Sequence, residues 1–143
     1  MVTSALDAPA PPPRVLVVED DDRLGALVGR MLARAGYAWE LVTTGDDALR
    51  AMRDRRPDAV VVDVMIPHPD GIEVCRQFRR DGWAGPLLAM SARNSPDDRH
   101  RVLAAGADGF LAKPFPLSDL VASLDDLRRR DTRRVAPVAD DAR

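Results

Sequence analysis

Two hydrophobic rhythms alternate along the chain. Val15-Leu16-Val17-Val18 is a short, β-branched apolar run, the pattern of a strand buried on both faces. Leu24, Leu27, Val28, Met31 and Leu32 then follow the i, i+3, i+4, i+7, i+8 spacing of an amphipathic helix, with Gly36 as its stop. Residues 37–43 predict a second strand. Ala48, Leu49 and Met52 mark a second helical face that ends before Pro57. Ala59-Val60-Val61-Val62 predicts a third strand, and Ile72, Val74, Cys75 and Phe78 a third helix. Leu87-Leu88-Ala89-Met90 predicts a fourth strand, Val102 and Leu103 a short helix begun near Pro96, and residues 110–112 a fifth strand. Leu117, Leu120, Val121, Leu124 and Leu127 form the last helical face.

Five strands alternating with five helices imply a parallel sheet covered on both faces. Right-handed crossovers leave few topologies, and the flavodoxin-like, doubly wound order 2-1-3-4-5 is the expected one. Pro9, Pro11, Pro12 and Pro13 cannot continue a helix or donate to a ladder, so residues 1–13 read as a disordered, Pro-rich leader. Residues 14–130 form the folded domain, and residues 131–143 read as a tail or the start of a linker.

Composition narrows the function. Of 143 residues, 21 are Lys or Arg and 23 are Asp or Glu, a net charge of -2, which argues against a chain built chiefly to coat nucleic acid. No apolar run approaches the ~20 residues of a membrane span, and residues 1–13 lack the features of a secretory signal. Cys75 is the single cysteine, so no internal disulfide forms and a cytoplasmic setting is expected.

In such a sheet, ligands bind beyond the carboxyl ends of the strands. Strand one ends in Glu19 and Asp20, strand three in Asp63 and strand four in Ser91, and strand five runs into Lys113. Three clustered carboxylates repel one another unless a cation sits among them, and an all-oxygen set suits Mg²⁺ where phosphate is handled. A carboxylate can attack phosphorus to give an aspartyl-phosphate, while an ammonium and a hydroxyl neutralise or bind phosphoryl oxygens. Taken singly, several of these residues have plainer readings: a loop cap for Asp63, dipole-favouring helix-start acids for Glu19 to Asp22, a loop lysine for Lys113. Thr43 and Thr44, at the end of strand two, receive no role. His68 and His100 read as exposed, and Cys75 as a core-facing helix residue.

Four stretches, VLVVEDD (15–21), VVDVMIPHPDGIE (61–73), LLAMSAR (87–93) and GADGFLAKPF (106–115), together resemble the receiver domain of two-component response regulators. The resemblance implies that Asp63 is the phosphoacceptor, that Glu19, Asp20, Asp63 and the Met65 carbonyl ligate Mg²⁺, and that a partner histidine kinase is the donor. It also implies that Ser91 and Phe110 form a switch with Lys113. Residues 92–101 and 106–115 look like the winged-helix transcription-factor branch, whose members carry a DNA-binding domain after a linker. The competing readings are a phosphohydrolase of the haloacid dehalogenase type, which needs an acid where this chain has Met65, a nucleotide binder, for which no Gly-rich phosphate motif is present, and a receiver-like interaction module that is never phosphorylated.

That branch dimerises through helix four, strand five and helix five. Carried over by position, Arg101 and Asp119 remain as a pair, and Asp108 and Arg130 match charged positions. Ser123 replaces an Arg, which leaves Asp108 without its expected partner. Gly109 replaces an acid and Asp125 a base, so the expected dimer is weak.

Overall fold

The computed structural model describes residues 10–138, with side chains as far as residue 131. The chain alternates β1 (Arg14–Val18), α1 (Asp22–Arg34), β2 (Ala38–Val42), α2 (Gly45–Asp54), β3 (Ala59–Asp63), α3 (Gly71–Arg80), β4 (Leu87–Ser91), α4 (Pro96–Ala104), β5 (Gly109–Ala112) and α5 (Leu117–Val138). All pairings are parallel, in the order β2-β1-β3-β4-β5. This is the flavodoxin-like order expected.

Successive strand residues point to opposite faces, so each strand feeds two cores. Leu16, Val18, Val60, Val62, Leu87 and Ala89 pack with Ala48, Met52, Ile72, Val74, Cys75 and Phe78 on the α2–α4 side. Val15, Val17, Val61, Leu88 and Met90 pack with Val28, Leu32, Tyr37, Leu120 and Leu124 under α1 and α5. The helices start on side-chain caps: Asp21 accepts from Arg23 N and Leu24 N, Thr44 from Asp47 N, and Asp70 from Glu73 N. Thr44, given no role by the sequence, therefore starts α2. Ser95 and Asp98 form a reciprocal capping box at α4. Gly36, at φ +97, lets the chain turn out of α1 in a conformation that a side chain would oppose.

Two expectations need correction. Leu27, assigned to the buried face of α1, is 43% exposed, and Met31 is only half-buried. The inner face is Gly25, Val28, Gly29 and Leu32 instead. The two glycines leave room for Leu41 and Trp39 of the edge strand β2, which lie where their Cβ atoms would be. Second, the last helix does not give way to a tail near residue 130: α5 continues to Val138, consistent with a stretch that contains no Gly or Pro before Pro137. The short helix expected from Val102 and Leu103 is α4, with Val102 buried and Leu103 exposed. The leader falls mostly on residues 1–9, outside the described residues; Pro13 accepts a hydrogen bond from Ala38 N beside β2.

Candidate functional site

The carboxyl ends of β1, β3, β4 and β5 converge on one edge of the sheet. Val18↔Val62 and Asp63↔Met90 are register partners, as are Ser91↔Ala112, so Glu19, Asp63, Ser91 and Lys113 emerge from adjacent strands. Carboxylate oxygens of Glu19, Asp20 and Asp63 all lie within 4.8 Å of one another. Glu19 is fully buried, Asp63 nearly so at 4% exposure, and Asp20 is exposed.

Lys113 bridges the two buried acids. Its Nζ donates to Glu19 Oε1 at 2.8 Å and to Asp63 Oδ2 at 3.1 Å. The backbone supplies the other contacts: Asp21 N donates to Glu19 Oε2 and Met65 N to Asp63 Oδ1, at 3.1 and 3.0 Å. Burial pushes the Glu19 carboxyl up to about 7, moderated by Lys113 and reinforced by Asp63. Burial disfavours the Lys113 ammonium, but its hydrogen bonds to Glu19 and Asp63 and their charges outweigh that, leaving its pKa raised. One ammonium thus faces three carboxylates, and the surplus negative charge fits a hard divalent cation with oxygen ligands. Glu19, Asp20 and Asp63 are the side chains that would hold it.

Ser91 is buried at the end of β4, its Oγ accepting from Arg93 N at 3.0 Å. A cleft of about 270 Å³ opens beside it, lined by Met65, Asp70, Arg93 and Arg101 among others. Phe110, on β5, is half-buried, with the Arg99 guanidinium 5.0 Å above its ring. His68 and His100 are exposed, as expected, and Cys75 is fully buried on the core face of α3, where burial pushes its thiol up to about 12.

The chain matches the family described as the response regulator receiver domain over residues 15–125. The chain belongs to this family. Its curated relatives include the response regulator MprA of Mycolicibacterium vanbaalenii, 47% identical over 121 residues that cover 85% of this chain and 52% of the relative. MprA of Mycobacterium avium is 46% identical over 117 residues, covering 82% of this chain and 51% of the relative. The receiver domain therefore spans about half the length of the curated relatives it matches. Among solved structures, the receiver domain of Francisella response regulator 1452 superposes with a TM-score of 0.79 at 28% identity, covering 83% of this chain and 98% of that one. The receiver domain of a sensor histidine kinase from Pseudomonas aeruginosa, which has a magnesium ion coordinated in its active site cleft, superposes with a TM-score of 0.74 at 32% identity, covering 81% and 97%.

Two charged positions behave differently from the sequence expectation. Asp108 is not left without a partner: Arg79 of the same chain donates to it at 2.9 Å, and Leu87 N at 3.0 Å. Asp125, expected only to weaken a dimer by replacing a base, accepts from the Tyr37 hydroxyl of the same chain, on the α1 side of the sheet. Arg130 is held by Asp126 one turn earlier, at 2.8 Å. The sequence also missed Arg79, whose guanidinium donates to Gly106 O, Trp83 O and Gly85 O while lying 5.2 Å from the Trp83 ring. Its signal, an Arg one helical turn before Trp83, is too common to be informative.

Proposed function

We propose that this receiver domain is phosphorylated on Asp63 by a partner histidine kinase in a Mg²⁺-dependent reaction. The observation that supports it most directly is the buried Asp63 carboxylate, oriented by Met65 N and Lys113 within a cluster of three acids. An Asp63 oxygen attacks the phosphorus of a phosphohistidine. The O–P bond forms as the P–N bond breaks, and the imidazole leaves with the electron pair. Mg²⁺, held by Glu19, Asp20, Asp63 and the Met65 carbonyl, supplies charge neutralisation when bound. Lys113 is placed to exchange its contact with Asp63 Oδ2 for one with the phosphoryl group, a charge-assisted hydrogen bond. The Ser91 hydroxyl donates to a phosphoryl oxygen, which draws in the β4–α4 segment, and the half-buried Phe110 ring follows.

The domain acts as a switch, catalysing only its own phosphotransfer and dephosphorylation. Its output is transcription, through a C-terminal DNA-binding domain of the kind that relatives of about twice the matched length could accommodate. It works in the cytoplasm; no helix among the described residues is long and apolar enough to cross a membrane. Association through α4, β5 and α5 is weak, because Asp108 is engaged within its own chain and the exposed Arg101–Asp119 pair adds only ~0–1 kcal/mol. Intact-mass measurement after incubation with Mg²⁺ and acetyl phosphate tests the acceptor. One phosphoryl mass is expected in the wild type and none in Asp63→Asn, whereas a variant that still gains that mass refutes the assignment.

A further inference from the structure

We propose that Gly45 is a positioning residue for the acceptor site, setting where the β3–α3 segment lies and with it the Met65 backbone beside Asp63. The inference rests on the metal-site reading above. Gly45 is the buried first residue of α2 and is none of the ligands proposed. A Cβ built there would lie 2.1 Å from the Pro69 carbonyl oxygen and 2.8 Å from Pro69 Cγ. The nearest atom belongs to backbone, so no change of rotamer relieves the overlap. Helix propensity does not account for the glycine either, since Ala is the better helix former.

The segment is also closely approached where it leaves β3. At Gly71 a Cβ would lie 2.5 Å from both the Asp63 carbonyl oxygen and Val64 Cα, and Gly71 N donates to Val64 O at 2.9 Å. Residues 64–70 therefore run between two bare Cα atoms, one on α2 and one on α3. A methyl group on Gly45 therefore has to displace the Pro69 backbone, and the close packing at Gly71 carries that strain to the start of the segment. The part displaced is the stretch carrying Met65, whose N–H fixes Asp63 Oδ1 at 3.0 Å.

Gly29 provides the control. A Cβ there would lie 2.2 Å from the Trp39 ring, an equally short approach but to a side chain, on the opposite face of the sheet and away from the acids. Wild type, Gly45→Ala and Gly29→Ala are compared by melting temperature, calorimetric Mg²⁺ titration and the rate of phosphorylation by acetyl phosphate, in an excluded osmolyte that keeps all three folded. Gly45→Ala should weaken Mg²⁺ binding ~10-fold, as loss of a supporting contact does at metal sites, and slow phosphorylation. Gly29→Ala should lower the melting temperature yet bind Mg²⁺ within about twofold of wild type. Equal Mg²⁺ affinity in Gly45→Ala and wild type overturns the proposal. So does equal weakening in both variants, or a Gly45→Ala chain that does not fold even in osmolyte, since the glycine would then serve the fold alone. A wild type that binds no Mg²⁺ instead sinks the metal-site reading.

Discussion

The two ends of the sheet each hold a charged cluster, and the two are built on opposite principles. At the amino end, Arg79 places its guanidinium against three carbonyls and Asp108, and Asp108 also takes Leu87 N. The Arg79 charge is matched by Asp108 and four of its five N–H donors are used, which is what a structural clasp needs. At the carboxyl end, Lys113 alone faces Glu19, Asp20 and Asp63. That end leaves negative charge uncompensated, and burial, reinforced by Asp63, pushes the Glu19 carboxyl up to about 7. A cluster that is closed stabilises the fold; one left open and acidic suits a hard cation.

The contrast fixes the sign of each substitution. The largest effect is on chemistry: Asp63→Asn should abolish phosphoryl uptake, while Arg79→Ala should leave its rate near wild type, both read by intact mass. On stability the order reverses. Arg79→Ala strips three carbonyls and Asp108 of their partner and should cost about 2–3 kcal/mol by denaturant unfolding. Asp63→Asn removes a repelling acid and leaves Lys113 with Glu19, so it should stabilise the metal-free domain by about 1 kcal/mol. Destabilisation by both substitutions would erase the distinction.

A subtler effect is the pH dependence. Glu19 lies near 7 in the fold, against an ordinary value of 4.5, because burial disfavours its charge. Between those values the folded chain holds a proton that the unfolded chain has released, so the metal-free domain should lose stability as pH rises from about 4.5 to 7 and level off above that. Glu19→Gln should flatten that part of the melting-temperature profile, and an unchanged slope would remove Glu19 as its cause. The smallest effect concerns Cys75. Buried and pushed up to about 12, it should resist thiol reagents in the native domain and react only on unfolding.

The sheet order and every element were legible because fully buried parallel strands read as plain apolar runs, as at residues 15–18 and 59–62. The clustering of Glu19, Asp20 and Asp63 was legible for a related reason: a charge directly after such a run has no structural purpose in an apolar core, and topology brings those positions together. Partnerships were less legible. That Asp108 belongs to Arg79, and Asp125 to Tyr37, depends on contacts 29 and 88 residues apart that no local pattern encodes. Leu27 was misplaced because helical spacing marks a face but not its centre, which two glycines shift toward Trp39 and Leu41. Thr44 and Ser95 were ordinary cap residues overlooked beside the charged motifs.

An open, over-acidic carboxyl end of the sheet should behave as a cation site. Thermal melting of the wild-type domain with increasing Mg²⁺ tests it most directly. Because Mg²⁺ would bind only the folded state, the melting temperature should climb with concentration through the millimolar range, and the climb should shrink in Asp20→Asn. A wild-type melting curve that stays fixed as Mg²⁺ reaches millimolar levels would contradict the account.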